Sequence, residues 1–348
     1  MEQPLISIVL PVYNRVDYLK VAIDSVFKQS YDNWELVIAD DNSNKETKAF
    51  LSKYLDCKKI RIFFNKKNLG LFVNLNQAII KSSGKYILIL CSDDVLLENC
   101  LEDSIQLIQK YHSANLILSC HQTMNEVGQM YNKPHQNRSI LLYEVWLNGN
   151  NDKVFQPEES LPLLLSNGSI NGNLTGVFFP KTLFNQIGGF NEQWRQVSDW
   201  EWVYRVAKEG NIILSKTPRT VIRSHSEQLS AVNFKDFIHS MEVVEMTNIL
   251  LNDPYLSQLK ESKQWAAHFM QLHLWYSLKA ILKGKWVESI KLIKEIHKTV
   301  GLHHALLAMI KWLPQRWKIY RYKSFPLEEY EKNWNSLKQT ISDTQKSN

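Results

Sequence analysis

Three short clusters in the first hundred residues are spaced so that they could share one ligand. Pro11-Val-Tyr-Asn-Arg15, Asp40-Asp-Asn-Ser43 and Ser92-Asp-Asp94 each follow an apolar run. A tyrosine at position 13 can stack on a base, and the Asp41 carboxylate can accept from a base N–H. Asp93 can accept from ribose hydroxyls. Asp94 can hold a divalent cation, a hard ion that takes carboxylate and phosphate oxygens. Together the clusters suit a nucleotide diphosphate. Each alone has a plainer reading: the carboxylates as turn residues or helix caps, Tyr13 as a packed aromatic. Their recurrence after successive apolar runs shifts the weight toward a shared pocket. No G-x-G-x-x-G follows the first run and no G-x-x-x-x-G-K-[ST] occurs, which argues against a dinucleotide dehydrogenase and a P-loop NTPase.

The segments between the clusters must place them on one edge. Leu5–Val12, Glu35–Ala39, Ile60–Phe64, Tyr86–Cys91 and Leu116–Cys120 read as strands. Tyr18–Phe27, Lys45–Leu55, Leu71–Ile80 and Leu96–Tyr111 carry helical spacing between them. This alternation predicts an α/β fold, a Rossmann-like and mostly parallel sheet with helices on both faces. In such a sheet ligands bind beyond the carboxyl ends of the strands, where all three clusters fall. Residues 121–175, rich in Asn and Gly, suit loops or short strands. From Lys235 the pattern is helical almost throughout, with Pro314 expected to break one helix. The expected division is 1–232 for the α/β domain, 233–340 for a C-terminal α-helical domain, and 341–348 for a flexible tail.

The chain has 348 residues, 44% hydrophobic and 22% charged, and a net charge of +6. That composition excludes disordered, collagen-like and disulfide-stapled classes. All of the excess positive charge lies beyond residue 234. The segment Lys311-Trp-Leu-Pro-Gln-Arg-Trp-Lys-Ile-Tyr-Arg-Tyr-Lys323 interleaves cations with aromatics, which suits peripheral contact with an anionic membrane. The plainer alternative is a solvated cationic surface with its tryptophans in a core. A neutral first two-thirds weighs against nucleic acid as a partner. Cys57, Cys91, Cys100 and Cys120 lack metal-ligand spacing and read as reduced thiols. No transmembrane segment or secretory signal is visible, so the expected place is cytoplasmic, on the inner face of the cell membrane.

Ser7-Ile-Val-Leu-Pro-Val-Tyr-Asn-Arg15, Ala22-Ile-Asp-Ser-Val-Phe-Lys-Gln-Ser-Tyr31 and Glu35-Leu-Val-Ile-Ala-Asp-Asp-Asn-Ser43 resemble family 2 glycosyltransferases of the GT-A fold. The likeness continues through Asn68-Leu-Gly70, Ser83-Gly-Lys-Tyr-Ile87, Phe184-Asn-Gln-Ile-Gly-Gly-Phe190 and Val197-Ser-Asp-Trp-Glu-Trp-Val-Tyr-Arg205, covering roughly residues 5–230. The resemblance implies that Pro11, Tyr13, Asn14 and Asp41 bind the base, that Asp93 touches ribose, and that Asp94 binds Mn²⁺ or Mg²⁺. It implies Asp199 as the base of an inverting transfer and His225 as a contact to metal or phosphate.

Two departures stand out. Ser198 occupies a position where the family often has Glu, and the Gln-x-x-Arg-Trp signature of processive synthases is absent. The expected function is therefore addition of one sugar from a nucleotide sugar, UDP-linked, to a sugar acceptor on a lipid-linked or surface-polysaccharide precursor. A non-catalytic module that binds nucleotide sugar or a membrane surface is the alternative that Ser198 leaves open. A sugar nucleotidyltransferase fits less well, because Pro11–Arg15 is not a glycine-rich basic loop.

Overall fold

The computed structural model describes residues 3–112, 114–131, 138–170, 172–228, 237–322, 325 and 327–347. The chain divides into two compact units. The first comprises Met1–Asn132, Leu147–Phe155 and Asn171–His225, and the second Lys133–Trp146, Gln156–Ile170 and Ser226–Asn348.

The first unit is built on one sheet. Its strands are β1 (Ile6–Val12), β2 (Trp34–Asp40), β3 (Ile60–Phe64), β4 (Tyr86–Ile89), β5 (Val95–Leu96), β6 (Ala114–Met124), β7 (Asp152–Phe155), β8 (Phe178–Pro180) and β9 (Asn211–Arg223). The order is β3-β2-β1-β4-β8-β6-β9-β5, with β7 on β9. Strands β3, β2, β1 and β4 run parallel, β8 is antiparallel to β4, and β6 and β9 are parallel to each other. Every residue of β1 and β2 is buried, as expected of strands covered on both faces. Ile6, Ile8, Leu10 and Val12 join one core with Leu19, Ala22, Ile23 and Val26 of helix α1 (Val16–Phe27). The alternate residues Val9 and Val37 are fully buried too. They point to the opposite face, where α3 (Leu71–Lys81) packs on β1 and β2.

The remaining helices of this unit are α2 (Lys45–Ser52), α4 (Cys100–Lys110), α7 (Lys181–Ile187) and α8 (Ser198–Glu209). A brace closes the sheet at the end away from the clusters. The Ser7 hydroxyl and the Ser83 N–H both donate to Glu35 Oε1, at 2.6 and 2.5 Å, and Arg61 donates to Oε2 at 3.2 Å. Burial alone would raise the Glu35 carboxyl, but these donors outweigh it and hold it below its ordinary range. A Cβ on Gly84 would lie 2.6 Å from the Ser7 nitrogen, so Ser83-Gly84 is architecture.

The second unit is helical: α5 (Arg138–Leu147), α6 (Pro157–Asn167), α9 (Ile238–Leu251), α10 (Ser262–Ile281), α11 (Trp286–Val300), α12 (Leu302–Tyr322) and α13 (Leu327–Ser347). Helix α10 packs against α6, α11 and α12. Three expectations are corrected. Residues 121–175 contain the helices α5 and α6 rather than loops and short strands alone. Pro314 lies inside α12 without ending it; the missing N–H removes one helical hydrogen bond, which this long helix tolerates. Helix α13 continues to Ser347, through residues expected to fray.

Candidate active site

The chain leaves β1 for β2 and β3 and returns on its other side as β4, so the crevice between β1 and β4 is the switch point of the sheet. The strands part there. Pairing of β1 with β4 ends at Val9↔Ile89, whereas β1 stays paired to β2 through Val12↔Asp40. Pro11 falls where β4 no longer needs a donor, which is where a strand interior tolerates proline. Beyond it Tyr13 is 53% exposed, free to stack on a flat ligand. Asn14 and Arg15 follow with φ of 62° and 63°, a left-handed pair that turns the chain sharply into α1. The turn is laced to the loop after β2: the Asn14 N–H donates to Ser43 Oγ at 2.8 Å, and the Asn44 N–H to Asn14 Oδ1 at 2.8 Å.

The two aspartates after β2 are buried. Asp40 Oδ2 accepts from the Ser43 N–H at 3.2 Å, while its buried Oδ1 has no hydrogen-bond partner among the described residues. Asp41 is occupied by its own chain. Its Oδ1 accepts from Asn65 Nδ2 and the Leu69 N–H, and its Oδ2 from the Gly70 N–H. Asn68-Leu-Gly70 is therefore the turn that Asp41 holds, with Gly70 at φ 90°.

The pair after β4 divides into an inner and an outer carboxylate. Asp94 is 2% exposed. Its Oδ2 accepts from the Thr175 hydroxyl at 2.5 Å and its Oδ1 from the Arg223 N–H at 2.9 Å. Burial, then the charge of Asp93, pushes its carboxyl well above the ordinary range. Thr175 Oγ1 also receives the Cys91 N–H at 2.9 Å, so one hydroxyl ties β4 to the segment entering β8. The Asp93 side chain, 25% exposed, is the outer one. Its Oδ2 lies 3.0 Å from His225 Nε2, and Arg15 Nη1 lies 3.4 Å from His225 Nδ1. A guanidinium only donates, so Nδ1 accepts and Nε2–H donates to Asp93. The imidazole itself is 3% exposed and packs on Tyr18, with ring centroids 5.3 Å apart. Arg223 closes the group, its Nε donating to the Asp93 carbonyl at 3.0 Å and its guanidinium sitting 4.5 Å from the Tyr18 centroid.

Asp199 lies in the first turn of α8, where the helix dipole favours an anion. It is half-buried, and its Oδ1 accepts from the Trp200 N–H at 2.8 Å. The turn before it is pinned. Phe190 N–H donates to Asn76 Oδ1 and Asn76 Nδ2 to the Phe190 carbonyl, while Trp202 Nε1 and Arg205 donate to carbonyls of residues 187–189. A Cβ on Gly189 would lie 2.6 Å from Asn76 Oδ1, so only glycine fits. Convergence with the β4 end shows at Cys91. Enclosure raises its thiol well above the ordinary range, followed by the charges of Asp94, Asp93 and Asp199. Among the described residues no group of three His, Cys, Asp or Glu could hold a metal.

The glycosyl transferase family 2 model matches residues 7–160. That stretch includes the loops after β1, β2 and β4. Residues 7–160, under half of the chain, are thus similar to glycosyl transferase family 2. An uncharacterized glycosyltransferase of Rickettsia felis is 30% identical over 268 residues, covering 73% of this chain and 41% of that protein. The UDP-Glc:alpha-D-GlcNAc-diphosphoundecaprenol beta-1,3-glucosyltransferase WfgD of Escherichia coli is 36% identical over 110 residues, covering 32% of this chain and 43% of that protein. The chain thus spans less than half the length of these curated relatives. Staphylococcus aureus TarS 1-349 has the same fold, with a TM-score of 0.62 at 19% identity, covering 92% of each chain; TarS 1-349 has also been solved with UDP-GlcNAc.

Set against the family 2 resemblance, the structure separates surface groups from scaffolding. Tyr13, Asn14, Asp93 and Asp199 stand at the crevice end of the sheet, with His225 behind Asp93. Pro11 is buried in β1, Asp41 serves its own turn, and Asp94 offers no free face. Trp194, Trp200 and Trp202 are all buried and pack in the core. Ser198 is fully buried and its Oγ has no partner among the described residues. Sequence reasoning missed Thr175, which bridges two strands distant in the chain and sits in an Asn- and Gly-rich stretch with no periodic signal. The Arg223 side chain, two residues before His225, was assigned no role of its own.

Proposed function

We propose that the chain transfers a single sugar from a UDP-sugar, with inversion, to a sugar acceptor on a lipid-linked or surface-polysaccharide precursor. The convergence of the Arg15–His225–Asp93 chain, exposed Tyr13 and Asp199 on the β1/β4 crevice carries this reading. The fold shared with TarS and the likeness to WfgD support UDP as the nucleotide.

In this reading Tyr13 stacks on the base, Pro11 and Asn14 line its site, and Asp41 shapes that site by holding the Asn68–Gly70 turn. Asp93, a hard oxygen donor with a free face, is the protein ligand for Mn²⁺ or Mg²⁺, in place of the enclosed Asp94. Such ions accept one carboxylate with phosphates and water as the remaining ligands, so the donor set fits. When bound, the cation supplies neutralisation of the leaving diphosphate. His225 fixes the Asp93 carboxylate and Arg15 brings a second positive charge to the same edge. Asp199 takes the proton of the acceptor hydroxyl as its oxygen bonds to the anomeric carbon; the bond to the phosphate oxygen breaks and the diphosphate leaves. A single displacement inverts the centre.

Peripheral contact with an anionic membrane on the cytoplasmic face belongs to the same reading. Trp286, Ile310, Trp317 and Tyr320 are exposed in α11 and α12 among lysines and arginines, and no described helix is long and apolar enough to cross a membrane.

Thermal unfolding with a panel of nucleotide sugars, in Mn²⁺ or chelator, tests the donor assignment, because a ligand specific to the folded state raises apparent stability. A metal-dependent shift with a UDP-sugar, together with UDP release in the presence of acceptor, is expected. A shift without release or hydrolysis would support the non-catalytic binding module instead, the reading favoured by buried, unpartnered Ser198. No shift with any donor would overturn the donor assignment.

A further inference from the structure

A cavity lies within the helical unit. It measures about 620 Å³ and is bounded by α6, α10, α12 and α13. That volume is within the range of small-molecule sites. Four kinds of group among its lining residues matter here. Lys260, Lys263 and Lys311 bring positive charge, and none of the three has a hydrogen bond or ion pair among the described residues. Glu329 is the one carboxylate among the lining residues. The walls are aromatic: Trp312 packs edge-on against His268 and Tyr330, with centroids 5.0 and 5.7 Å apart. The amides of Asn167, Gln264 and Asn333 complete the lining.

Each component narrows the occupant. Unpaired cations around a cavity select an anion and disfavour quaternary ammonium ligands or metal ions, which want the opposite charge. Locked aromatic walls suit the flat, C–H-rich faces of a ring. Amide groups can both donate to and accept from ring hydroxyls. A bare phosphate would leave the aromatics and amides unused. The volume suits a short saccharide of up to about three units rather than an extended polymer.

We propose that this cavity is a second ligand site, binding a saccharide that bears a phosphate or carboxylate group. The site is separate from the donor crevice and stands whether or not the transfer reaction is as described above.

Intrinsic tryptophan fluorescence of the full chain provides the test, titrated with glucose 6-phosphate, trigalacturonate, maltotriose and inorganic phosphate. The first two distinguish a phosphate-bearing from a carboxylate-bearing sugar. The lysines are exposed, so Lys263→Glu/Lys311→Glu is expected to fold, with circular dichroism and thermal unfolding as the check, and Lys263→Arg/Lys311→Arg as the charge-conserving control. The expected result is saturable binding of at least one charged saccharide, with maltotriose and phosphate at least about tenfold weaker. The Glu variant should lose about tenfold or more in affinity while the Arg variant keeps it. UDP-sugar stabilisation should be the same in all three proteins, which separates this site from the donor site. Four results would overturn the proposal: equal binding of maltotriose, equal binding of inorganic phosphate, undiminished affinity in the folded Glu variant, or no saccharide response at millimolar concentration. Capture of the chain by phosphatidylglycerol vesicles, lost in the Glu variant while saccharides give no response, would assign the lysines to a membrane instead.

Discussion

At the scale of residues, two adjacent aspartates have opposite situations. Asp94 is enclosed, with the Thr175 hydroxyl on one oxygen and the Arg223 amide on the other, while Asp93 faces the crevice with His225 at its back. Asparagine at 94 can still accept from the Arg223 N–H, so Asp94→Asn should fold and keep metal-dependent donor stabilisation. Asp93→Asn should lose it. His225→Ala should weaken metal-dependent donor affinity about 10–100-fold, the usual cost of removing a group that orients a ligand. Thermal shift and calorimetric titration with UDP and Mn²⁺ check all three; equal loss in Asp93→Asn and Asp94→Asn would return the metal role to Asp94. The sequence made the Asp-Asp pair conspicuous but not its division of labour. That division is set by Thr175, from the far side of the sheet, and no local pattern announces such a contact.

At the scale of elements, strands and helices with a clear period were legible to within a few residues, because β1, β2 and β3 are mostly apolar and α1 and α3 carry one apolar stripe. Helices α5 and α6 were not. Ser-Ile-Leu-Leu-Tyr-Glu-Val-Trp-Leu in α5 is apolar nearly all round, so its stripe is lost. For α6 the start was written in the sequence: Pro157 at the first helical position, with Glu159 accepting the Gln156 N–H at 3.3 Å. Asn- and Gly-rich flanks drew attention away from it. The turn into α8 was read as part of a motif, and its physical reason is the fit of Gly189 against Asn76. Gly189→Ala should cost about 1–3 kcal/mol by overpacking and displace Asp199. Unfolding midpoints and transfer rates check this: stability and transfer should fall together while UDP-sugar binding persists.

At the scale of the whole molecule, charge and chemistry are segregated along the chain, with residues 1–234 net neutral and carrying the acidic crevice and residues 235–348 holding the excess of positive charge. The helical unit also carries a pH dependence. Burial, then the charge of His239, pushes His273 down to about 3 from 6.5, and its Nδ1 lies 3.0 Å from Ser240 Oγ. The unfolded chain takes up a proton that the folded chain refuses. Stability is therefore unaffected by His273 above pH 6.5 and falls as pH drops from 6.5 toward 3, by about 1.4 kcal/mol per pH unit for one histidine. His273→Gln should reduce that slope by one proton's worth in denaturant unfolding across this range; an unchanged slope would show that His273 does not govern it. The measurement that bears most directly on the account is transfer by Asp199→Asn beside wild type, with donor binding measured on the same samples. Unchanged UDP-sugar stabilisation with transfer lowered about 10²–10⁴-fold is the expected result. Full transfer by Asp199→Asn would contradict the assignment of this carboxylate as the base.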